Sequence, residues 1–416
     1  RILEAKYKLG LFSNPYRYCN TKRNKTDIYS AENRQIARDV AAETFVLLKN
    51  EGNLLPLKKQ GKIALIGPLA DTRNNIAGTW SVAQAPEKYT TIKEAMEKAL
   101  DGKATLLYAQ GSNIWRDREL QKNGEQGKSI AWGDEVKMKN EALQIAKEAD
   151  VIVCAMGETA DMSGECASRT NLEMPDVQQE LLAELAKTGK PVVLLNFAGR
   201  PTVLSWEKEH IPAIMNVWFG GSEVGDALCD VIFGDKVPSG KLTTSMPKTT
   251  GQEPLYYNHQ NTGRPVPDDN QKFAKFASNC LDVSNGPLYP FGYGLSYTTF
   301  EYGDLKLSSH EVNMDDWKIT ATINVKNTGS RDADEIVQLY IRDMVASISR
   351  PVKELKGFQR IHLAAGESRE ISFDITPEML KFYNAELKHV IEPGDFQIMV
   401  GGNSKEVKTQ NLTVKN

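Results

Sequence analysis

The composition is that of a folded protein with more than one domain. At roughly 150 residues per domain, the 416 residues predict two to three domains and exclude a small disulfide-stapled scaffold. The 51 Lys and Arg residues nearly balance the 54 Asp and Glu residues, giving a net charge of −3, so the strongly basic character of nucleic-acid-binding proteins is absent. The chain has 40% hydrophobic and 25% charged residues and no apolar run of membrane-spanning length, so neither disorder nor a membrane segment is expected.

The start of the chain and its cysteines give little direct information about function. Residues 1–12 have the apolar pattern of the last turns of a helix, and the first residue is not Met, so we expect further sequence upstream. The five cysteines are odd in number and lack the CxxC and Cys/His spacings of metal sites. We therefore expect no disulfide framework and no metal site, and no motif requires a cofactor.

Residues 30–250 have the pattern of a layered α/β domain, in which short apolar runs alternate with segments of helical period. Strands are predicted at 62–66, 105–108, 151–156, 192–197 and 213–218. One helix is predicted to begin after an N-cap at Ser30, to carry Ile36, Val40, Leu47 and Leu48, and to end at the turn 50–52. Further helices are predicted at 135–149, 175–188 and 223–233. This order predicts an α/β/α layered sandwich around a parallel sheet.

The pattern changes to a period of two in residues 300–416. Ile319, Ala321, Ile323 and Val325 alternate with polar residues, and similar runs follow near 337–341, 371–375 and 396–400. Six or seven short strands separated by turn residues are typical of an antiparallel β-sandwich of the immunoglobulin or fibronectin type III kind. Residues 251–299 lack clear periodicity and are predicted to form a long connector between the two domains.

The loop after the predicted strand 151–156 is the strongest candidate for chemistry. Ligands of open α/β sheets bind beyond the carboxyl ends of the strands, and this loop places Glu158, Asp161 and Glu165 close to Arg169. A loop carboxylate can act as a general acid, but a single loop glutamate is more often solvated or caps a helix. No nucleotide-binding GxGxxG or hydrolase GxSxG motif is present.

Four segments, at 165–175, 218–247, 256–265 and 288–300, include the sequences ECASRTNLEMP, YYNHQNTGRP and LYPFGYGLSYTTF. In this order they resemble the C-terminal portion of glycoside hydrolase family 3, in its bacterial periplasmic β-glucosidase branch. The resemblance covers essentially the whole chain. It implies that residues 1–29 are the end of a (β/α)8 barrel and a linker, that 30–250 are the family's α/β sandwich domain, and that 251–299 connect it to a fibronectin type III-like domain at 300–416.

The resemblance also implies a mechanism and a set of residues. Family members of this branch hydrolyse terminal non-reducing β-D-glucosyl residues with retention, using a nucleophile and an acid/base. The nucleophilic Asp belongs to the barrel, so this chain alone is expected to be inactive. The Ser-Gly-Glu and Ser-Arg-Thr pattern of the acid/base loop matches Glu165 and its surroundings. Glu158 and Asp161 are the competing acid/base candidates, whereas Ser168 and Arg169 are expected to bind substrate or to orient the loop.

Several alternatives stay open at this stage. A β-xylosidase of the same family would have the same pattern in these domains, because the barrel holds most contacts to the first sugar. A non-catalytic carbohydrate-binding or interaction module is the alternative of a different class. The expected partners are a β-linked oligosaccharide or glucoside and the barrel domain, without nucleic acid or membrane, and a homodimer is compatible with the sequence. By resemblance, the expected location is periplasmic or extracellular.

Overall fold

The computed structural model describes residues 1–81, 85–124, 127–266, 270, 273–314 and 317–416. Six strands of these residues form the first sheet: β1 (Val46–Asn50), β2 (Lys62–Ile66), β3 (Thr105–Ala109), β4 (Val151–Gly157), β5 (Val192–Phe197) and β6 (Ala213–Trp218). Their order across the sheet is β1-β6-β5-β4-β2-β3. All neighbours are parallel except β1 with β6. Strands β2 to β6 are the five predicted strands, and the predicted parallel sheet is confirmed.

Helices cover both faces of this sheet. The α-helices before the β-sandwich are α1 (Ile2–Lys8), α2 (Arg23–Thr26), α3 (Ala31–Thr44), α4 (Ile92–Leu100), α5 (Arg118–Asn123), α6 (Glu135–Glu148), α7 (Asp176–Ala186), α8 (Ser205–His210) and α9 (Val224–Ile232), of which α1 and α2 bury no residue and do not pack on the sheet. Buried residues of α3, α4 and α9 pack with Leu65 and Val153 on one face. Residues of α6 and α7 pack with Ile66 and Cys154 on the other face. Because successive strand residues point to opposite faces, the sheet forms two cores, and the predicted α/β/α layered sandwich is confirmed.

The helix predicted to run from Ser30 to the turn at 50–52 is wrong in its second half. Ser30 does cap α3, since its hydroxyl accepts a hydrogen bond from the backbone N–H of Asn33 at 3.2 Å, but α3 ends at Thr44. Leu47 and Leu48 instead lie in β1, where both are buried against β6. This edge pairing joins residues far apart in the sequence, so the local spacing of apolar residues could not reveal it.

The second domain is a β-sandwich, as the fold prediction required. Its strands are β7 (Phe300–Tyr302), β8 (Lys306–Leu307), β9 (Glu311–Asn313), β10 (Ile319–Asn327), β11 (Ala333–Asp343), β12 (Glu354–Leu363), β13 (Ser368–Ile375), β14 (Phe382–Tyr383), β15 (His389–Val390), β16 (Gly394–Gly401) and β17 (Val407–Lys415), with a short helix α10 (Pro377–Leu380). In the described chain, one sheet contains β13, β10, β7 and β8, and the other has the order β12-β11-β16-β17-β9. The paired strands of these two sheets are antiparallel, as predicted, except at one edge. There β9 crosses to the second sheet and pairs with β17 in parallel.

Residues 251–299, the connector, pack against both domains. Tyr289 of the connector is buried in the core formed with α6 and α7, whereas Phe291 stacks on Tyr257 with ring centroids 4.2 Å apart. Tyr257 in turn meets Tyr340 of β11 edge-on at 6.0 Å. The connector therefore forms part of the seam between the domains. The helices of the described ranges are too short or too polar to cross a membrane.

A buried ion pair also joins the two domains. Lys241, which follows α9, places its Nζ 3.0 Å from Oε2 of Glu335 on β11, and the two side chains are only 13% and 5% exposed. The hydroxyl of Tyr302 donates to the other carboxylate oxygen of Glu335 at 2.8 Å, and Lys241 donates to the carbonyl of Gly294 at 2.8 Å. This pair fixes the sandwich against the α/β domain at a point that is largely shielded from water.

Removing the cation of this pair is expected to destabilise the chain. Lys241→Met should lower the free energy of unfolding by about 3 kcal/mol, because Glu335 would be left buried without a cation. The double variant Lys241→Met with Glu335→Leu should recover much of the loss, and urea unfolding measures both. Lys318→Met, which removes the cation of an exposed pair with Asp374, should change stability by less than about 1 kcal/mol. Equal losses for the two single variants would contradict the buried role of Lys241.

Glu207 on α8 is a second buried carboxyl, and it has no cationic partner among the described residues. Only 1% of the residue is exposed, and its Oε1 accepts no hydrogen bond from them. Burial raises the pKa of Glu207 from 4.5 to about 7, and the nearby carboxylate of Glu173 adds to the effect. A raised pKa means that the folded state binds this proton more tightly than the unfolded chain does. The corresponding stability is present below about pH 4.5 and is lost as the pH rises through about 7.

The variant Glu207→Gln should remove this pH dependence. It should match the parent near pH 4.5 and exceed its free energy of unfolding near pH 8 by roughly 3 kcal/mol, because the amide stays neutral throughout. Urea unfolding at both pH values measures the difference, with Glu148→Gln as a control at an exposed glutamate. A constant difference between Glu207→Gln and the parent at all pH values would refute the assignment.

Candidate active site

The loop that follows β4 begins at the carboxyl edge of the parallel sheet. Strand β4 lies between β2 and β5. The ends of β4 and β5 come so close that a side chain cannot fit between them. A Cβ atom at Gly157, whose φ is +128°, would lie 2.1 Å from the carbonyl oxygen of Phe197. Glycine at this position lets the chain leave β4 beside the end of β5. The loop that starts here carries all three carboxylates singled out in the sequence.

Glu158, the first of these carboxylates, is buried, and both of its carboxylate oxygens have partners. Only 1% of the residue is exposed. Its Oε1 accepts a hydrogen bond from Arg169 Nη1 at 2.8 Å and lies 3.2 Å from Arg200 Nε. Its Oε2 accepts from the backbone N–H of Gly199 at 3.3 Å. This carboxylate binds two guanidinium groups inside the protein and cannot reach an external substrate.

Asp161, the second carboxylate, contacts the neighbouring loop. It is half-buried, and its Oδ2 accepts a hydrogen bond from the backbone N–H of Gly127 at 2.8 Å. A Cβ atom at Gly124 would lie 2.6 Å from the same oxygen. The chain segments on either side of residues 125–126 thus pack directly against Asp161.

Glu165, the third carboxylate, lies at the tip of the loop. Its side chain is exposed and makes no hydrogen bond or ion pair with any described residue. The neighbours on each side, Gly164 with φ +100° and Cys166 with φ +57°, both have left-handed backbone conformations. Glu165 therefore lies between two residues of left-handed conformation, at a point where its side chain is exposed.

Side chains from two other loops hold the tip in place. The hydroxyl of Thr79 contacts the carbonyl oxygens of Ala160 and Ser163, the latter at 2.8 Å. From the opposite side, Arg200 Nη2 donates to the carbonyls of Met162 and Ala167, the latter at 2.6 Å. These four contacts from side chains to backbone carbonyls fix the loop on both sides of Glu165, so that an exposed residue has a defined position.

Arg169 lies behind this tip and does not contact Glu165. Besides Glu158, its guanidinium donates to the carbonyl of Glu173 at 3.0 Å and lies 5.2 Å from the ring centroid of Trp115. Its side chain is only 11% exposed. Ser168 is exposed, and both residues line a cleft of about 590 Å³ together with Thr79, Trp115 and Asp161. Arg169 is thus mainly committed to internal contacts, whereas Ser168 faces open space.

Three contributors were not identified from the sequence. Thr79 and Trp80 come from the loop after β2, and Trp80 is 73% exposed with its ring edge 3.5 Å from the Cβ position of Gly164. Arg200 comes from the loop after β5. A signal existed for Arg200, because the carboxyl ends of neighbouring parallel strands meet at one edge, so a cation following β5 can reach a carboxylate following β4.

Two family models match this chain. "Glycosyl hydrolase family 3 C-terminal domain" covers residues 45–297, and "Fibronectin type III-like domain" covers residues 335–404. The chain belongs to glycoside hydrolase family 3, and the family resemblance found in the sequence is confirmed.

Relatives of known name extend the comparison over the whole chain. The chain is 44% identical to the periplasmic beta-glucosidase of Salmonella typhimurium over 98% of its own length and 54% of that protein. It is 38% identical to a beta-xylosidase of Formosa agariphila over 100% of its length and 54% of that protein. The crystal structure of a beta-glucosidase from Listeria innocua in complex with isofagomine superimposes with a TM-score of 0.88 at 36% identity, covering 100% of this chain and 55% of that one. The chain thus spans about half the length of the curated relatives it matches.

Because Glu158 is buried and paired whereas Glu165 is exposed, replacing each residue should have a different effect on stability. Glu158→Gln should lower the free energy of unfolding by about 3 kcal/mol, because two buried guanidinium groups would lose their shared carboxylate. Glu165→Gln should change stability by less than about 0.5 kcal/mol, since this side chain is exposed and unpaired among the described residues. Urea unfolding of the two isosteric variants measures the difference. A loss for Glu165→Gln as large as that for Glu158→Gln would contradict this division of roles.

Proposed function

We propose that this chain supplies the acid/base half of the active site of a retaining β-glucosidase. In this proposal Glu165 is the acid/base, and the nucleophilic carboxylate comes from a barrel domain outside these 416 residues. The single observation that carries the proposal is the environment of the loop after β4. Of its carboxylates at 158, 161 and 165, only Glu165 is exposed without a partner among the described residues.

The chemistry of retention requires such a residue. A retaining site brings two carboxyl groups to about 5 to 5.5 Å, so the acid/base must project from its own domain towards the other. In the first step Glu165, in its protonated form, would donate to the glycosidic oxygen as the leaving group departs. In the second step its carboxylate would accept a proton from the water that attacks the glycosyl-enzyme. An unpaired side chain on a fixed backbone can perform both steps without breaking an ion pair.

Arg169 and Ser168 would have different roles around Glu165. The contacts of Arg169 with Glu158 and with the carbonyl of Glu173 support a role in orienting the loop. Ser168 is exposed and lines the adjacent cleft, which supports a contact with the leaving-group part of a substrate. Glu158 would act only through Arg169 and Arg200, by holding the loop.

The first 29 residues fit the proposed arrangement with a barrel. We propose that they are the end of the barrel and a linker, followed by the α/β domain at 30–250, the connector at 251–299 and the fibronectin type III-like domain at 300–416. In support, the apolar side chains of Ile2, Leu3, Tyr7 and Phe12 are between 61% and 76% exposed, and a docked barrel would cover them. The cellular location we propose is the periplasm, the compartment in the name of the Salmonella relative.

A β-xylosidase of the same family is the second candidate, because relatives of both names match the chain. Both activities use the same acid/base chemistry. Comparing hydrolysis of nitrophenyl β-glucoside with that of nitrophenyl β-xyloside by the barrel-containing protein distinguishes them. A non-catalytic carbohydrate-binding module would hydrolyse neither.

Replacing the proposed acid/base should affect substrates according to their leaving groups. In the barrel-containing protein, Glu165→Ala should slow hydrolysis of cellobiose by roughly 10² to 10⁴, because a sugar alkoxide leaves only after protonation. The glycosylation step of an activated dinitrophenyl glucoside, which needs no protonation, should be largely spared. Azide should accelerate turnover of the activated substrate by the variant, since an anionic nucleophile needs no general base, and a β-glucosyl azide should form.

Two controls accompany this experiment. Glu148→Gln changes an exposed glutamate at the end of α6, next to the amino end of β4, and should leave all rates unchanged. The 416-residue chain by itself should hydrolyse neither substrate, because it lacks the nucleophile. Unchanged cellobiose hydrolysis by Glu165→Ala would refute the assignment of Glu165, and turnover by the isolated chain would refute the division of the site between domains.

A further inference from the structure

A second cavity lies between the connector and the β-sandwich. Its volume is about 540 Å³, and Tyr256, Gln260 and Asn261 of the connector face Arg342 and Gln397 of the sandwich across it. This volume is within the range of small-molecule sites, which are about 300 to 1,000 Å³. None of its described lining residues lines the cleft beside Ser168 and Arg169.

Arg342 and Gln397 form the part of the wall contributed by the sheet. They are directly opposite each other on the paired strands β11 and β16, so their side chains lie next to each other on one face of the sheet. Both are half-buried. Neither side chain makes a hydrogen bond or an ion pair with any residue that the structure describes. A guanidinium group and an amide thus line the cavity, and neither has a hydrogen-bond partner for its side chain within the described chain.

The charge around the cavity has one sign. Lys353 and Lys405 also line it, and no Asp or Glu is among its described lining residues. Lys353 donates to the carbonyl of Ser404, and Lys405 donates to the side-chain oxygen of Asn270 at 3.0 Å. A partly buried guanidinium without a counter-ion is costly, and the planar guanidinium fork matches a carboxylate in bidentate geometry.

The opposite wall has the chemistry of a sugar site. The side chain of Tyr256 is exposed, with 61% of the residue accessible, and its ring offers an apolar face. Gln260 and Asn261 are exposed amides without a side-chain partner in the described chain, and each can donate to and accept from hydroxyl groups. A small inorganic anion would use the guanidinium but would leave the aromatic ring and both amides without contacts.

We propose that this cavity binds an acidic sugar, in which Arg342 and Gln397 hold the carboxylate of a uronic acid while Tyr256, Gln260 and Asn261 contact its ring. The proposal does not depend on the hydrolytic function, because it rests on a different set of residues.

Binding to the 416-residue chain tests the proposal, with calorimetry or NMR titration at low ionic strength as the measurement. Methyl β-D-glucuronide should bind, whereas the neutral methyl β-D-glucoside should bind at least about 10-fold more weakly. Arg342→Met should weaken glucuronide binding by about 10- to 100-fold, the usual effect of losing hydrogen bonds to a charged group. Arg342→Lys should fall between Arg342→Met and the parent, since it keeps the charge but not the fork.

Control variants and ligands decide among the other outcomes. Lys408→Met removes one positive charge from β17 of the same sheet at a residue that does not line the cavity, and it should leave binding unchanged. The free energy of unfolding of Arg342→Met should be no lower than that of the parent, which would show that lost binding is not lost folding. Equal binding of glucoside and glucuronide, or acetate binding as tight as glucuronide binding, would overturn the proposal. So would the absence of glucuronide binding to the parent.

Discussion

Glu158 is buried directly after β4, and a buried carboxylate is stable only when cations and hydrogen bonds replace its lost water. The two guanidinium groups that do so come from different places. Arg169 belongs to the same loop, and Arg200 follows the neighbouring strand β5. Satisfying one buried charge therefore ties the loop to the sheet at two points, and Nη2 of Arg200 also donates to two of the loop carbonyls. The position of Glu165 depends on this arrangement, although Glu165 takes no part in it.

The three carboxylates of this loop lie in different environments, and these differences could be predicted only in part. The sequence identified Glu158, Asp161 and Glu165 as candidates, because the loop follows a strand that is buried on both faces. Chemistry alone could not rank these three carboxylates, because the burial of Glu158 depends on Arg200, which lies 42 positions further along the chain. The family resemblance favoured Glu165, and the local geometry gives an independent physical reason for the same choice.

Prediction of the fold succeeded where the signal is local. Strands β2 to β6 and helices α6, α7 and α9 follow from short apolar runs and from helical periods within single segments. Strand β1 was misassigned because Leu47 and Leu48 continue the apolar spacing of α3, whereas their strand conformation comes from pairing with β6. The parallel contact of β9 with β17 was missed for the same reason. Edge strands are specified by distant partners, so a local pattern is least informative there.

Strand β11 shows how a single strand can serve both the core and the seam. Its residues Val337, Leu339 and Ile341 fill the core of the sandwich. The alternating residues Gln338 and Tyr340 face the connector, where Gln338 donates to the carbonyl of Gly292 at 3.1 Å.

Gly292 itself has φ +79°, and a Cβ atom there would lie 2.1 Å from Oε1 of Gln338, so this contact requires glycine. A shift of β11 by one residue would exchange its two faces and would break the core and the seam together. The register that stabilises the sandwich is therefore the same register that holds it against the α/β domain.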